Sequence, residues 1–205
     1  MRIGIFGGTF NPPHLGHLLL AQAALEEAAL DRMVFVPCGN PPHKEIRGLT
    51  DAVHRFEMTR LAICGNPSFE ISDIEIRSDA PSYTAKTLEQ LKRKYPDDTI
   101  CFIVGADSLC EMEEWYHPGE IFSRAEIIAA CRGGENRGDI ERAAELYREK
   151  YNAAVRCIAM PEVEISSSDI RQRLTDGRPV RYMLPERVID YINKTGIYRR
   201  KTDND

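Results

Sequence analysis

Short apolar runs recur along the chain with longer helix-patterned stretches between them, and this alternation allows few folds. The runs "RIGIF" at 2–6, "MVFVP" at 33–37, "TICFIVG" at 99–105, "EIIAAC" at 126–131 and "AVRCIAM" at 154–160 read as strands buried on both faces. Strands separated by whole helices run parallel, because antiparallel neighbours need only a short turn. Helical patterns fill 17–29, 51–64, 83–95 and 138–151, and shorter ones follow at 167–174 and 185–196. Asp51 can cap the second of these and Gly65 can end it, while Pro185 and Gly196 bracket the last. The stretch 138–151 is so charged that it reads as a solvated surface helix. With no repeat, long linker or low-complexity segment, the expectation is a single domain over 1–205. Its fold class is α/β, a doubly wound, Rossmann-like parallel sheet with helices on both faces and a short helical extension over about 162–205.

Composition narrows the function classes. A chain of 205 residues with 42% hydrophobic and 29% charged content can bury a full core. Its formal charge of −5 argues against a nucleic-acid partner, which needs many cations presented together. No run approaches the roughly 20 apolar residues of a membrane span, and the start "MRIGIF" lacks a leader pattern, so the expected location is the cytoplasm and no membrane is expected as a partner. The cysteines Cys38, Cys64, Cys101, Cys110, Cys131 and Cys157 form no C-x-x-C pair, and several sit in apolar runs, so they read as buried reduced thiols rather than disulfides or zinc ligands. The sequence leaves a homo-oligomer open.

In an open parallel sheet ligands bind beyond the carboxyl ends of the strands, so residues just after each strand carry the chemistry. Gly7 and Gly8 follow the first strand, where missing Cβ atoms let backbone amides approach a phosphate. The loop matches neither G-x-G-x-x-G nor the P-loop, since no Gly-Lys-Ser or Gly-Lys-Thr ends it. His14 and His17 stand three residues apart at a helix start and share a face. They can donate to phosphoryl oxygens, with a zinc pair or plain capping histidines as rival readings. Far away, "EISSSDIR" at 164–171 puts serine hydroxyls at a helix start, with the Arg171 guanidinium on the face of Ser168. Together the two ends describe a triphosphate clamp.

The segments "GGTFNPPHLGH" and "ISSSDIR" resemble the H-x-G-H and I-S-S-T-x-I-R motifs of the nucleotidyltransferase α/β-phosphodiesterase superfamily, with Ser168 in place of threonine. Further marks are "VPCGNPPHK", "SYTAKTL", "FIVGADSL", "EEWYHP" and "YINKTGIY". With these, nearly the whole chain is similar to bacterial nicotinate-nucleotide adenylyltransferases. The resemblance implies an enzyme joining nicotinate mononucleotide to ATP, giving nicotinate adenine dinucleotide and pyrophosphate in NAD synthesis. The mononucleotide phosphate would attack the α-phosphorus directly, without a covalent enzyme intermediate.

By the same resemblance His14, His17 and Arg171 would be catalytic. The two histidines would hold α- and β-phosphate oxygens, and Arg171 with Ser167 and Ser168 the departing pyrophosphate. Gly7, Gly8, Thr9, Phe10 and Ile165 would line the ATP site, and Gly105 and Asp107 would approach the adenosine. Asp107 reads equally as a helix cap. Asn40 and Lys44, with His43 beside them, would meet the mononucleotide, Lys44 through its phosphate. Trp115 has an indole face able to stack on the pyridine, or to anchor a loop in the core. Thr84 can bind a carboxylate, or cap a helix. Mg²⁺ would arrive with ATP, held by phosphate and water rather than by a protein metal site. Two rivals stand beside this reading: a sister enzyme using phosphopantetheine or nicotinamide mononucleotide as acceptor, and a regulatory module that binds nucleotide without transfer.

Overall fold

The computed structural model describes residues 1–42, 48–132, 137–160 and 163–199. Six parallel strands form one sheet in the order β3-β2-β1-β4-β5-β6, with β1 Arg2–Gly8, β2 Arg32–Pro37, β3 Phe69–Ile71, β4 Thr99–Gly105, β5 Glu126–Arg132 and β6 Val155–Met160. The chain builds outward from β1 through β2 to β3, then crosses back to lay β4 on the other side of β1. The carboxyl ends of β1 and β4 therefore flank the crevice where strand order reverses.

The five strands expected from the sequence are all present, and β3 is a sixth. Three residues are too few to show an alternating pattern, and β3 is fixed by its register with β2, Met33 against Phe69 and Phe35 against Ile71. The helices are α1 Leu15–Glu27, α2 Ala52–Ile63, α3 Thr84–Lys94, α4 Ala106–Glu111, α5 Pro118–Arg124, α6 Arg137–Tyr151, α7 Ser167–Thr175 and α8 Glu186–Thr195. The sequence outlines no helix at α5 and, at α4, only a capping residue in Asp107, and α1 begins two residues before the expected start.

Strand alternation sends each run to both faces. Ile3, Ile5, Val34, Val36, Ile100, Phe102, Val104, Ile127 and Ala129 pack under α3 to α6. Phe6, Met33, Phe35, Cys101, Ile103, Ile128 and Ala130 pack under Ala21 and Ala24 of α1. Of the cysteines expected to be buried, Cys101 is, Cys38 and Cys131 are half-buried, and Cys64, Cys110 and Cys157 are exposed because they lie at element ends or on outward-facing positions. The helix α6 is less solvated than its composition suggests, because Ile140, Ala144 and Tyr147 form a buried stripe. Its Tyr147 hydroxyl donates to the Leu109 carbonyl at 2.8 Å, holding α4 in place. A third cluster joins Ile170, Val180, Leu184, Val188 and Ile192 to Met58 and Ala62 of α2, so the C-terminal helices dock beside the sheet.

Candidate active site

The loop after β1 is folded around its own aromatic residue. Phe10 adopts φ 49° and buries its ring to 2% exposure between Phe6 and Phe35. A Cβ on Gly8 would stand 2.9 Å from that ring, so the glycine is required by packing within the chain. At Gly7 a Cβ would meet only ordinary contacts, so its space opens toward a cavity. Phe10 thus offers its backbone to a ligand site while its ring belongs to the core.

The same ring shapes the histidine pair. His14 caps α1 and is 7% exposed, and His17 sits at the third helical position. The two imidazoles stack at 3.7 Å between centroids, and Phe10 meets the His17 ring edge-on at 5.1 Å. The His14 backbone N–H donates to His17 Nδ1 at 3.1 Å. That bond fixes the neutral tautomer, with the proton on Nε2. Burial, followed by repulsion from His14, holds the His17 pKa well below its ordinary 6.5. His17 is therefore a neutral N–H donor across the physiological range. Among the described residues no group of three or more His, Cys, Asp or Glu side chains is arranged to hold a metal ion.

The distant motif meets this loop directly. Ser167 Oγ donates to the Pro12 carbonyl at 2.8 Å, and Arg171 Nη1 donates to the Asn11 carbonyl, also at 2.8 Å. Ser166 is the true cap of α7, accepting from the Asp169 N–H at 3.1 Å, which leaves Ser167 and Ser168 to face the site. Asn11 is held in turn by Tyr198, whose hydroxyl donates to Asn11 Oδ1 at 2.6 Å. Thr9, Phe10, Asn11, His17, Ser167, Ser168 and Arg171 line a cavity of about 320 Å³. Ile165 lies half-buried just before α7.

A second cavity of about 190 Å³ shares Thr9 with the first. Its walls include Ile5, Val36, Phe102 and Leu88 from the core, with Gly7, Gly8, Thr84 and Trp115. Trp115 packs edge-on against Phe102 at 6.2 Å, as a core anchor would, and also lines the cavity. Thr84 is the first residue of α3 and not its cap, a position that Tyr83 holds without a side-chain bond. Gly105 caps α4 and a Cβ there would meet nothing within 4 Å, while Asp107 is exposed in the first turn and borders neither cavity. The Asn40 carbonyl accepts from the Ser82 N–H at 2.8 Å, and the Asn40 N–H donates to Ser82 Oγ at 3.1 Å. Lys44 and His43 lie outside the described residues.

Sequence reading missed Cys38, Glu75, Ser82 and Thr87 in the second cavity, and Arg55 beneath it. Glu75 accepts from Thr87 Oγ1 at 2.7 Å, and burial raises its pKa. Cys38 is pushed up to about 11, chiefly by burial, so its thiol stays protonated. Arg55 was detectable: with Met58, Thr59, Ala62 and Ile63 it completes the buried stripe of α2, a charge on a core face.

Residues 5–173 match the cytidylyltransferase-like family model. Two relatives carry the name "probable nicotinate-nucleotide adenylyltransferase". The protein of Carboxydothermus hydrogenoformans is 43% identical over 198 residues, covering 97% of this chain and 98% of its own. That of Thermoanaerobacter sp. is 42% identical over 205 residues, covering 100% and 97%. Among solved structures, the nicotinic acid mononucleotide adenylyltransferase of Plasmodium falciparum complexed with APC superimposes with a TM-score of 0.76 at 21% identity, covering 96% of each chain. The same protein complexed with NaAD gives 0.75 at 22% identity, covering 96% of this chain and 97% of that one. At such identities the two structures speak to the fold.

Proposed function

The chain belongs to the cytidylyltransferase-like family and, within it, to the nicotinate-nucleotide adenylyltransferases, and from that premise we propose how its own residues carry out the transfer. The enzyme joins nicotinate mononucleotide to ATP, yielding nicotinate adenine dinucleotide and pyrophosphate. A mononucleotide phosphate oxygen forms a bond to the α-phosphorus of ATP, the bond from that phosphorus to the bridging oxygen breaks, and pyrophosphate departs with the electron pair. No covalent enzyme intermediate is needed, so the protein's task is alignment and charge stabilisation.

The triphosphate occupies the polar cavity and the pyridine end of the mononucleotide the apolar one, with the reacting phosphates meeting at Thr9. The observation that carries this reading is that one residue borders both cavities, with His17 on the polar side and Trp115 on the apolar side. His17 Nε2–H and His14 donate to α- and β-phosphate oxygens. Because His17 starts neutral, it stabilises developing charge by hydrogen bonding without having to lose or gain a proton. Arg171, Ser167 and Ser168 receive the departing pyrophosphate, and the backbone of Gly7, Gly8, Thr9 and Phe10, with Ile165, frames the ATP. Gly105 and Asp107 approach the adenosine ribose. Trp115 stacks on the pyridine, Thr84 meets its carboxylate, and Asn40 and Lys44 meet the rest of the mononucleotide. Mg²⁺ enters as the MgATP substrate, held by phosphate and water. We assign the reaction to the cytoplasm; no described helix is long and apolar enough to cross a membrane.

Pyrophosphate release with MgATP and nicotinate mononucleotide, nicotinamide mononucleotide or phosphopantetheine in parallel tests the reading. The expected result is fastest release with the nicotinate acceptor. Release with phosphopantetheine alone, or with none of the three, would sink it.

A further inference from the structure

Arg55 is 1% exposed, the largest fully buried side chain of the described residues, and borders neither cavity. Taking a guanidinium out of water is costly, and a position on the core face of α2 would ordinarily hold an aliphatic residue. What compensates is a set of three backbone carbonyls from separate segments. Nη1 donates to Thr9 at 2.9 Å, Nη2 to Gly39 at 3.0 Å, and Nε to Thr50 at 2.9 Å. Thr9 is the residue common to both cavities, and Gly39 follows the carboxyl end of β2 directly after Cys38, which lines the apolar one.

Gly39 is gripped from its other side as well. Its N–H donates to Ser82 Oγ at 3.2 Å, and a Cβ there would come within 2.1 Å of the Glu75 carbonyl oxygen, so this backbone is wedged in position. The Thr50 end is tied to the phosphate loop independently, since the Thr50 N–H donates to Asn11 Oδ1 at 3.4 Å and Asn11 Nδ2 to the Gly48 carbonyl at 3.0 Å. One planar fork thus fixes the distance between the loop after β1 and the loop after β2. Lysine, with a single ammonium, cannot reproduce three diverging bonds.

We infer that Arg55 is a positioning residue that couples the two subsites, setting the separation at which the acceptor phosphate meets the α-phosphorus. It touches neither reactant. The inference rests on the two-cavity reading of the reaction, and its consequence is specific: loss of the fork should misalign two reactants that each still bind. A displacement of about 1 Å is enough to cost about 10²-fold in rate.

The test is Arg55→Lys. Expected are KM values for ATP and mononucleotide close to those of the parent, with kcat per folded molecule, normalised by circular dichroism, lower by about 10²-fold. Unchanged kcat per folded molecule, or a loss seen wholly in KM, would overturn the inference. A second measurement needs neither the variant's turnover nor the acceptor. An ATP analogue with carbon bridging the α- and β-phosphorus atoms is added alone, and amide hydrogen exchange is followed. In the unsubstituted protein, filling the polar cavity should slow exchange in the peptide spanning 36–41 across the fork, and Arg55→Lys should abolish that protection. Protection confined to the histidine loop and α7, or retained in Arg55→Lys, would overturn the proposal even if that variant turned over poorly. Failure of the reaction itself would appear separately, as an unsubstituted enzyme that releases no pyrophosphate.

Discussion

The polar and the apolar cavity meet at one threonine but are assembled by opposite means. The polar cavity is made from chain termini of secondary structure: the start of α1, the start of α7 and the loop between β1 and α1, held together by bonds such as Ser167 to Pro12 and Arg171 to Asn11. The apolar cavity is cut into the core, with Ile5, Val36, Phe102 and Leu88 serving both as wall and as packing. A cavity of the first kind can present many donors because helix starts leave amides and hydroxyls uncommitted. One of the second kind exposes mainly apolar wall, its polar members such as Glu75 and Thr87 bonded to one another, and has a fixed shape. On the proposed reading, charge handling and ring selection fall to structurally separate parts of one site.

The largest effect that would sharpen this contrast belongs to the polar side. His17→Ala should lower kcat by roughly 10²- to 10³-fold, the cost of losing one preorganised donor, with little change in the KM of the mononucleotide. Full kcat in that variant would reduce His17 to a structural role. The proton count gives a second readout. Since the folded pKa of His17 lies well below 6.5, kcat should show no inflection near 6.5 from this residue. The unfolded chain protonates its histidine first as pH falls. The stability contributed by keeping His17 neutral is therefore present above 6.5 and is lost as pH falls below it. Thermal melts across that interval should lose their acid-side slope in part when His17 is replaced.

On the apolar side the expected effect is smaller and of another kind. Trp115→Ala should raise the KM of the mononucleotide about 2- to 10-fold, the worth of one aromatic stack, and leave that of ATP in place. Equal shifts for both substrates would show that the indole acts only through its contact with Phe102. Smallest is Ser166→Ala, which removes the α7 cap at the join between α7 and the histidine loop. It should cost about 1 kcal/mol and roughly 2–4 °C in Tm while kcat holds. A kcat loss outrunning the melting shift would mean that Ser166 contacts phosphate.

The same contrast explains which parts of the molecule can be read from the amino-acid sequence. The polar cavity is written in two contiguous motifs, so His17, Ser167, Ser168 and Arg171 could be singled out from sequence and line one cavity, with His14 stacked on His17 but not itself in the lining. The β-runs were equally plain, because buried parallel strands are dense apolar segments. The apolar cavity is long-range: Val36, Glu75, Leu88 and Phe102 come from separate elements and nothing local links them. β3 is visible only through its partner strand, and Thr84 and Asp107 looked like caps because first-turn and capping residues share side-chain types. Arg55 carried a usable signal in the period of α2, since only the helical register reveals that this charge faces inward.

The Tyr198 hydroxyl on Asn11 joins residues 187 positions apart. During synthesis at about 5–20 residues per second, Asn11 must wait roughly 10 to 40 s before that partner has been made. The sheet can form strand by strand as the chain emerges, but the loop after β1 gains the Tyr198 restraint only when the turn after α8 has been made. A partly synthesised chain would have made every wall of the apolar cavity, the last of them Trp115, well before Ser167, Ser168 and Arg171 complete the polar one. If the polar cavity holds the reacting phosphates as proposed, this ordering makes catalytic competence a late acquisition of the growing chain.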